Sequence, residues 1–73
     1  MEKSGGFNFG KRLRELRVEK GWNQRYLAGL LGMSQSNLSL WEGGQSLPDF
    51  MSVRKLAGIF DVSADYLLGL SEY

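Results

Sequence analysis

The stretch from Gln24 to Gly43, QRYLAGLLGMSQSNLSLWEG, decides the fold because it combines the residues that a helix-turn-helix requires. Gly32 tolerates the positive φ of a tight turn without a steric cost. Ala28, four residues before it, presents a small side chain where the second helix crosses the first closely. The spacing predicts two helices, about 24–31 and about 35–42. The apolar residues that then face inward are Leu27, Leu31, Met33, Leu38 and Trp41.

Three helix starts, those of the two helices above and of one near the C-terminal end, share one pattern of capping residues. Asn23, Ser34 and Ser63 each follow an apolar residue, and another apolar residue comes four positions later. A side-chain oxygen at the N-cap accepts a hydrogen bond from a free backbone N–H, and the two apolar residues form a hydrophobic staple. The pattern predicts that helices start directly after these three residues. The helix after Ser63 is expected to be short.

The rest of the chain predicts two more helices and a loop. The first helix spans about Phe9–Lys20, with Asn8 as its N-cap and Gly21 ending it. Residues Gly43–Pro48 form a loop, since paired glycines and proline interrupt helices. The fourth helix runs from residue 49 or 50 to 60. Its spacing predicts a buried stripe made of Phe50, Val53, Leu56, Ala57 and Phe60.

The predicted fold class is all-α, a compact five-helix domain over residues 8–70. Residues 1–7 are expected to be a flexible arm, and residues 71–73 a short tail. At 73 residues, with no cysteine and no histidine, the domain lacks disulfides, thiolate metal sites and the commonest general base. We therefore expect no catalytic site, no metal and no cofactor. No span long enough to cross a bilayer and no signal peptide is visible, so we expect a cytoplasmic protein with no membrane partner.

Several segments carry a family resemblance. They are KRLRELR at 11–17, GWNQ at 21–24, the motif residues from Leu27 to Glu42, and LAGIFDVSADYLLG at 56–69. On these residues the chain resembles the lambda-repressor/Cro-type, or XRE-like, helix-turn-helix family. The resemblance implies a prokaryotic or phage-encoded transcriptional regulator, most often a repressor, that works at the nucleoid. It also implies a homodimer on a palindromic or pseudo-palindromic operator in double-stranded DNA.

Helix 3 is the recognition helix by position, and its N-terminal residues are expected to enter the major groove. Gln35 is the first candidate, because a glutamine amide pairs in a bidentate way with adenine N6 and N7. Ser36 and Ser39 are small and hydrogen-bond to several bases, and Leu40 can touch a thymine methyl group. Two alternatives stay open at this stage: Gln35 is only a solvated first-turn residue, or Leu40 turns toward the protein or a partner.

Phosphate contacts are expected around the start of helix 2, where free N–H groups and the helix dipole favour an anion. Gln24 lies in this first turn, and Asn23 either contacts a phosphate or serves only as a cap. The resemblance implies that Gln24 bridges a phosphate and Gln35. It also implies an ion pair between Arg17 and Glu42 that ties helix 1 to helix 3. The remaining phosphate candidates are Arg17 itself, Arg25, Gly43, Gly44, Gln45 and Ser46.

The chain departs from the family in its charges. Helix 3 holds no lysine or arginine, and the loop after it reads GGQSL, while the net charge is only +1. Each cation that neutralises a phosphate contributes roughly −0.9 to the slope of log affinity against log salt. We therefore expect modest affinity per monomer. The alternative is a protein–protein interaction module with weak or no specific DNA binding, which an exposed patch of Leu30, Leu40 and Leu47 would favour.

The C-terminal end offers a candidate dimer surface. Its apolar residues are Tyr66, Leu67, Leu70 and Tyr73. If two copies pair there, their recognition helices should lie about 34 Å apart, which is one turn of DNA.

Overall fold

Five α-helices follow one another in the part of the chain that this computed structural model describes, residues 8–71. They are α1 (Phe9–Glu19), α2 (Gln24–Leu31), α3 (Gln35–Glu42), α4 (Phe50–Phe60) and α5 (Ala64–Leu67). The predicted all-α, five-helix fold is confirmed, and residues 8–71 contain no strand. The predicted arm at 1–7 and the last two residues of the predicted tail lie outside the described residues.

The N-caps form as predicted at three helix starts. The side chains of Asn23, Ser34 and Ser63 each accept a hydrogen bond from the backbone N–H three residues later, over 2.8, 3.1 and 3.0 Å. Asp49 caps α4 in the same way. Each bond satisfies one of the N–H groups that the first turn leaves without an intrahelical partner. These caps explain why the helices start where they do.

The prediction that Asn8 caps α1 is wrong for its side chain. Asn8 does occupy the position before the helix, but its side chain makes no capping hydrogen bond. Its backbone has φ −107° and ψ 27°, whereas Asn23, Ser34 and Ser63 are extended, with ψ between 152° and 169°. An N-cap residue typically has an extended backbone, which turns its side chain back toward the first-turn N–H groups.

The core lies where α1, α2, α3 and α4 converge, closed at one side by α5. Phe9 of α1 meets Trp41 of α3 edge to face, with ring centroids 5.9 Å apart. Such an aromatic pair contributes about 0.5–1.5 kcal/mol beyond the burial of its area. The buried hydrophobic residues are Phe9, Leu13, Leu27, Ala28, Leu38, Trp41, Val53, Leu56, Phe60 and Leu67.

Two expectations about burial are wrong. Phe50 was expected in the buried stripe of α4, yet its side chain is 77% exposed. It is the first residue of α4 and borders an open groove of about 470 Å³ beside α5, so nothing covers it. Leu67 was expected on a dimer surface, yet it is fully buried, because α5 packs this residue into the core. Leu70 is exposed, Tyr66 is half-buried, and Tyr73 lies outside the described residues.

Two glycines fix how the helices meet. Gly32 has φ 68°, the left-handed conformation that the α2–α3 turn was expected to need. Gly10 in α1 lies directly against the end of α3. A Cβ atom there would meet the Trp41 carbonyl oxygen and would lie 2.8 Å from the carbonyl oxygen of Glu42. Gly10 therefore lets α1 approach the backbone of α3.

None of the helices within residues 8–71 combines the length and the apolar character that crossing a membrane would need.

Candidate nucleic-acid interface

The two faces of α3 differ as the helix-turn-helix prediction requires. Leu38 and Trp41 are buried in the core. The four residues proposed to contact bases, Gln35, Ser36, Ser39 and Leu40, are all exposed. Leu40 is 43% exposed, so it is not packed into the core of the domain. One side of α3 therefore anchors the helix, and the other side presents small polar groups, one amide and one leucine.

An ion pair joins the end of α1 to the end of α3. The guanidinium of Arg17 donates from Nε to Glu42 Oε2 over 2.7 Å and from Nη2 to Oε1 over 3.0 Å. A third hydrogen bond runs from Arg17 Nη1 to the carbonyl oxygen of Trp22 over 2.8 Å. The predicted pair is thus present and bidentate, with side chains only 11% and 4% exposed. The hydrogen bonds to Glu42 raise the pKa of Arg17 above its ordinary value.

Gln24 and Gln35 extend this pair toward the exposed face of α3. Gln24 Nε2 donates to Glu42 Oε1 over 3.0 Å. Gln35 Nε2 in turn donates to Gln24 Oε1 over 3.4 Å, the longest link in the series. Four side chains from three helices thus form one chain of hydrogen bonds, from Arg17 to Gln35. The contact between the two glutamines agrees with what the resemblance implied.

The loop after α3 was expected to contact phosphates, but its backbone N–H groups are already used within the protein. Gly43 and Gly44 carry no side chain, so they could reach a phosphate only through their backbone N–H groups. Those groups already donate to carbonyl oxygens of Ser39 and Trp41 over 2.9 and 3.1 Å, which completes the last turn of α3. The N–H groups of residues 45 and 46 donate to the Leu40 carbonyl in the same way.

The loop can therefore contact a phosphate only through its side chains. The hydroxyl oxygen of Ser46 is buried and has no hydrogen-bond partner, so it is not presented to the surface. Gln45 is exposed. Of the two, Gln45 is the better placed to reach a DNA backbone.

The positions at the start of α2 have mixed roles. Asn23 uses its side-chain oxygen to cap the helix, which leaves its amide nitrogen for another contact. Arg25 is exposed in the first turn. Among the basic residues of α1, Arg14 lines a polar recess of about 290 Å³ together with Arg17, Gln24, Ser39, Glu42 and Gly43. Its spacing of three residues from Arg17 is consistent with this position on the same face of α1.

Within residues 8–71, histidine, cysteine, aspartate and glutamate side chains form no group of three or more that could hold a metal ion.

Comparison with known proteins places this arrangement among helix-turn-helix proteins. A family model described as a helix-turn-helix domain matches residues 10–71. The SPbeta prophage-derived uncharacterized HTH-type transcriptional regulator YonR of Bacillus subtilis is 38% identical over 60 residues, which cover 82% of this chain and 56% of that protein. The HTH-type transcriptional regulator ImmR of the same organism is 40% identical over 65 residues, covering 89% and 51%. The chain spans about half the length of the curated relatives it matches.

Two solved structures are similar along most of their length. The P22 c2 repressor protein, in complex with synthetic operator 9T, has a TM-score of 0.80 and 28% identity, and the match covers 86% of this chain and 96% of that one. The restriction-modification controller protein C.AhdI from Aeromonas hydrophila has a TM-score of 0.74 and 39% identity, covering 85% and 94%. The five-helix architecture is therefore that of known repressor and controller domains.

Proposed function

We propose that this chain, which belongs to the lambda-repressor/Cro-type helix-turn-helix family, binds double-stranded DNA sequence-specifically with α3 in the major groove. It acts as a non-catalytic transcriptional regulator, as a repressor in the leading version of the proposal. The observation that carries this proposal is Gln35, an exposed amide on α3 that Gln24 holds in place. A base-reading residue must be exposed, and Gln35 is exposed with one side-chain partner, Gln24, over 3.4 Å.

The exposed residues of α3 have different roles in this proposal. Gln35 pairs with an adenine, and a good bidentate pair of this kind discriminates against other bases by about 1–3 kcal/mol. Ser36 and Ser39 hydrogen-bond to neighbouring base edges. Leu40 contacts the methyl group of a thymine, since an apolar side chain in the groove has no hydrogen bond to offer.

The phosphate contacts come mainly from residues around the start of α2. Gln24 has its backbone N–H at the N-terminal end of the helix, where the dipole favours an anion. Arg14 and Arg25 supply positive charge on either side, and Arg17 supplies part of its charge while it pairs with Glu42. Further contacts are assigned to the amide nitrogen of Asn23 and to Gln45, and none to Gly43 or Ser46, whose donors face the protein.

The affinity of one copy is expected to be modest. Residues 35–42 carry no lysine or arginine. If Arg14 and Arg25 each neutralise one phosphate and Arg17 contributes in part, the slope of log affinity against log salt lies between roughly −2 and −3 per monomer. A homodimer on two half-sites about 34 Å apart would double the contacts, and we include it in the proposal. A regulator of this kind works where the chromosome is, in the cytoplasm of a prokaryotic cell.

A second function, binding another protein, is favoured by the outer face of α2. Tyr26 and Leu30 are exposed there, 51% and 41%, and border an open groove of about 440 Å³. Leu40 and Leu47 are exposed as well. An apolar surface of this kind is typical of an interaction site when its members are contiguous.

Selection of duplexes from a random DNA pool in low salt tests the first function against the second. The purified chain and a covalently tethered dimer are used in parallel. We expect a palindrome whose half-sites contain an adenine, and we expect its enrichment to be lost with Gln35→Ala. Asn37→Ala, an exposed position of α3 without an assigned base contact, is the matched control and should keep it. If neither form enriches any sequence, the DNA-binding proposal is wrong and the interaction module is favoured.

A further inference from the structure

Glu42 faces three donors from two other helices, although it lies at the far end of α3 from Gln35. Its carboxylate accepts two N–H groups from Arg17 and one from Gln24, with 4% of the side chain exposed. Because it is buried, Glu42 is not placed to touch a base. Its influence on DNA must therefore pass through a neighbour.

An ionised carboxylate has only acceptor atoms, and this dictates the orientation of the amide beside it. The atom of Gln24 that faces Glu42 must be the nitrogen, because an oxygen there would place two acceptors against each other. The Oε1 of Gln24 then points the other way, toward Gln35. The atom of Gln35 that faces Gln24 must consequently be its nitrogen as well. One carboxylate therefore orients two successive amides.

The orientation of Gln35 determines which base it accepts. One N–H of its amide is given to Gln24, which leaves one N–H and the oxygen Oε1 for the DNA. Adenine presents an acceptor at N7 and a donor at N6, which match this remaining pair, whereas guanine presents acceptors at both N7 and O6. Oriented in this way, Gln35 would place its oxygen against O6 of guanine. A freely rotating amide could instead turn its nitrogen toward either acceptor.

We propose that Glu42 is a positioning residue that sets the preference for adenine over guanine at Gln35 by orienting the amide of Gln24. This inference rests on the proposed function, because it assumes that Gln35 contacts a base. The proposed role of Glu42 differs from its role in the ion pair, because joining α1 to α3 needs only a negative charge at residue 42. We call the series of contacts from Glu42 through Gln24 to Gln35 the relay. The relay needs a group at residue 42 that accepts a hydrogen bond from Gln24 and never donates one to it.

Two substitutions separate the relay from the ion pair. Glu42→Gln has nearly the same shape, but its amide can present either an oxygen or a nitrogen to Gln24, so the orientation is no longer imposed. Arg17→Gln also breaks the ion pair but keeps the carboxylate facing Gln24. Both variants are expected to lose stability and overall affinity. The base preference should change in the Glu42 variant alone.

The measurement is competition binding with the operator that the wild-type chain selects. The adenine assigned to Gln35, identified by the loss of selectivity in Gln35→Ala, is replaced by guanine. The low end of the discrimination expected for a bidentate contact corresponds to roughly a fivefold ratio of affinities. We expect the adenine-to-guanine ratio to fall by about fivefold or more in Glu42→Gln and to change by less than about twofold in Arg17→Gln.

Thermal unfolding of each variant shows whether it is folded at the temperature of the binding assay. If Glu42→Gln does not fold, Gln24→Met interrupts the relay while the ion pair stays intact, and it should lower the ratio in the same way. An unchanged ratio in the folded variant would overturn the inference and leave the proposed function standing. A base other than adenine opposite Gln35 would overturn the inference and the adenine assigned to Gln35, but not DNA binding through α3. A wild-type chain that selects no sequence would instead contradict the proposed function itself.

Discussion

Gly10 offers a sharp test of how α1 packs on the recognition helix. It lies in the first turn of α1, where alanine would ordinarily stabilise a helix. A Cβ atom at this position would meet the carbonyl oxygens of Trp41 and Glu42, the latter at 2.8 Å. Both are backbone atoms at the end of α3, so neither can move aside by changing a rotamer. We predict that Gly10→Ala destabilises the domain.

The magnitude follows from two opposing effects. An ordinary van der Waals contact of a Cβ atom begins at 3.4 Å, so α1 would have to move away from α3 by roughly half an ångström or more. Overpacking of this kind costs about 3 kcal/mol at the upper end of the usual range, and two backbone carbonyls justify that end. The higher helix propensity of alanine offsets about 1 kcal/mol. The net loss is about 2 kcal/mol, or roughly 8–16 °C in Tm for a domain of this size.

Thermal and urea unfolding, followed by circular dichroism, measure this loss. Gly29→Ala and Gly58→Ala are matched controls, because both glycines are helical and neither would bring a Cβ atom within 4 Å of another group. These two variants should gain about 0.5–1 kcal/mol. The same substitution should therefore have opposite signs at the two kinds of position. If Gly10→Ala is as stable as the wild-type chain, the close approach of α1 to α3 described here is wrong.

Three further substitutions test the cap of α4, the ion pair and the exposed start of α4. Hydrogen bonds from the hydroxyl and the backbone N–H of Ser52 lower the pKa of Asp49, so its stabilising effect is complete above the ordinary carboxyl pKa and disappears as pH falls through the lowered value. Asp49→Asn should keep the cap but flatten the fall of Tm below about pH 4, and an unchanged profile would contradict this. Glu42→Ala leaves Arg17 without its partner and should cost about 3–5 kcal/mol in urea unfolding; a cost under about 1 kcal/mol would refute the buried pair. Phe50→Ser should change stability by less than about 0.5 kcal/mol, since the ring is mostly exposed, and a larger loss would show that it is covered.

Local features of the fold could be predicted from the sequence because their causes are local. The caps at Asn23, Ser34 and Ser63 depend on hydrogen bonds between residues three apart, so the chain near each of them contains all the information. The turn at Gly32 likewise depends on one φ angle. The starts of α2, α3 and α5 therefore agree with the residues read from the sequence.

Features that depend on distant neighbours could not be predicted in this way. The spacing of Phe50 matches the buried stripe of α4, but spacing does not say how far the covering helix extends. The sequence around Gly10 does not indicate why a glycine is needed there, because the atoms that exclude a side chain belong to the backbone of residues 41 and 42. Gln24 and Glu42 are 18 residues apart, and only the folded structure shows that they meet. The resemblance implied the contacts of Arg17 with Glu42 and of Gln24 with Gln35, whereas the contact that joins them into one series comes from the structure.

The ion pair at the centre of the site raises a question that stability alone does not answer. A buried ion pair is often no more stabilising than apolar side chains of similar size, because removing two charges from water is costly. We therefore predict that the double variant Arg17→Met with Glu42→Leu recovers most of the stability that Glu42→Ala loses. It should not recover the adenine preference, since a leucine cannot orient the amide of Gln24. Urea unfolding and competition binding on this one variant would separate the two roles. If stability and base preference return together, apolar packing between α1 and α3 is enough to position Gln35, and the carboxylate has no role in recognition.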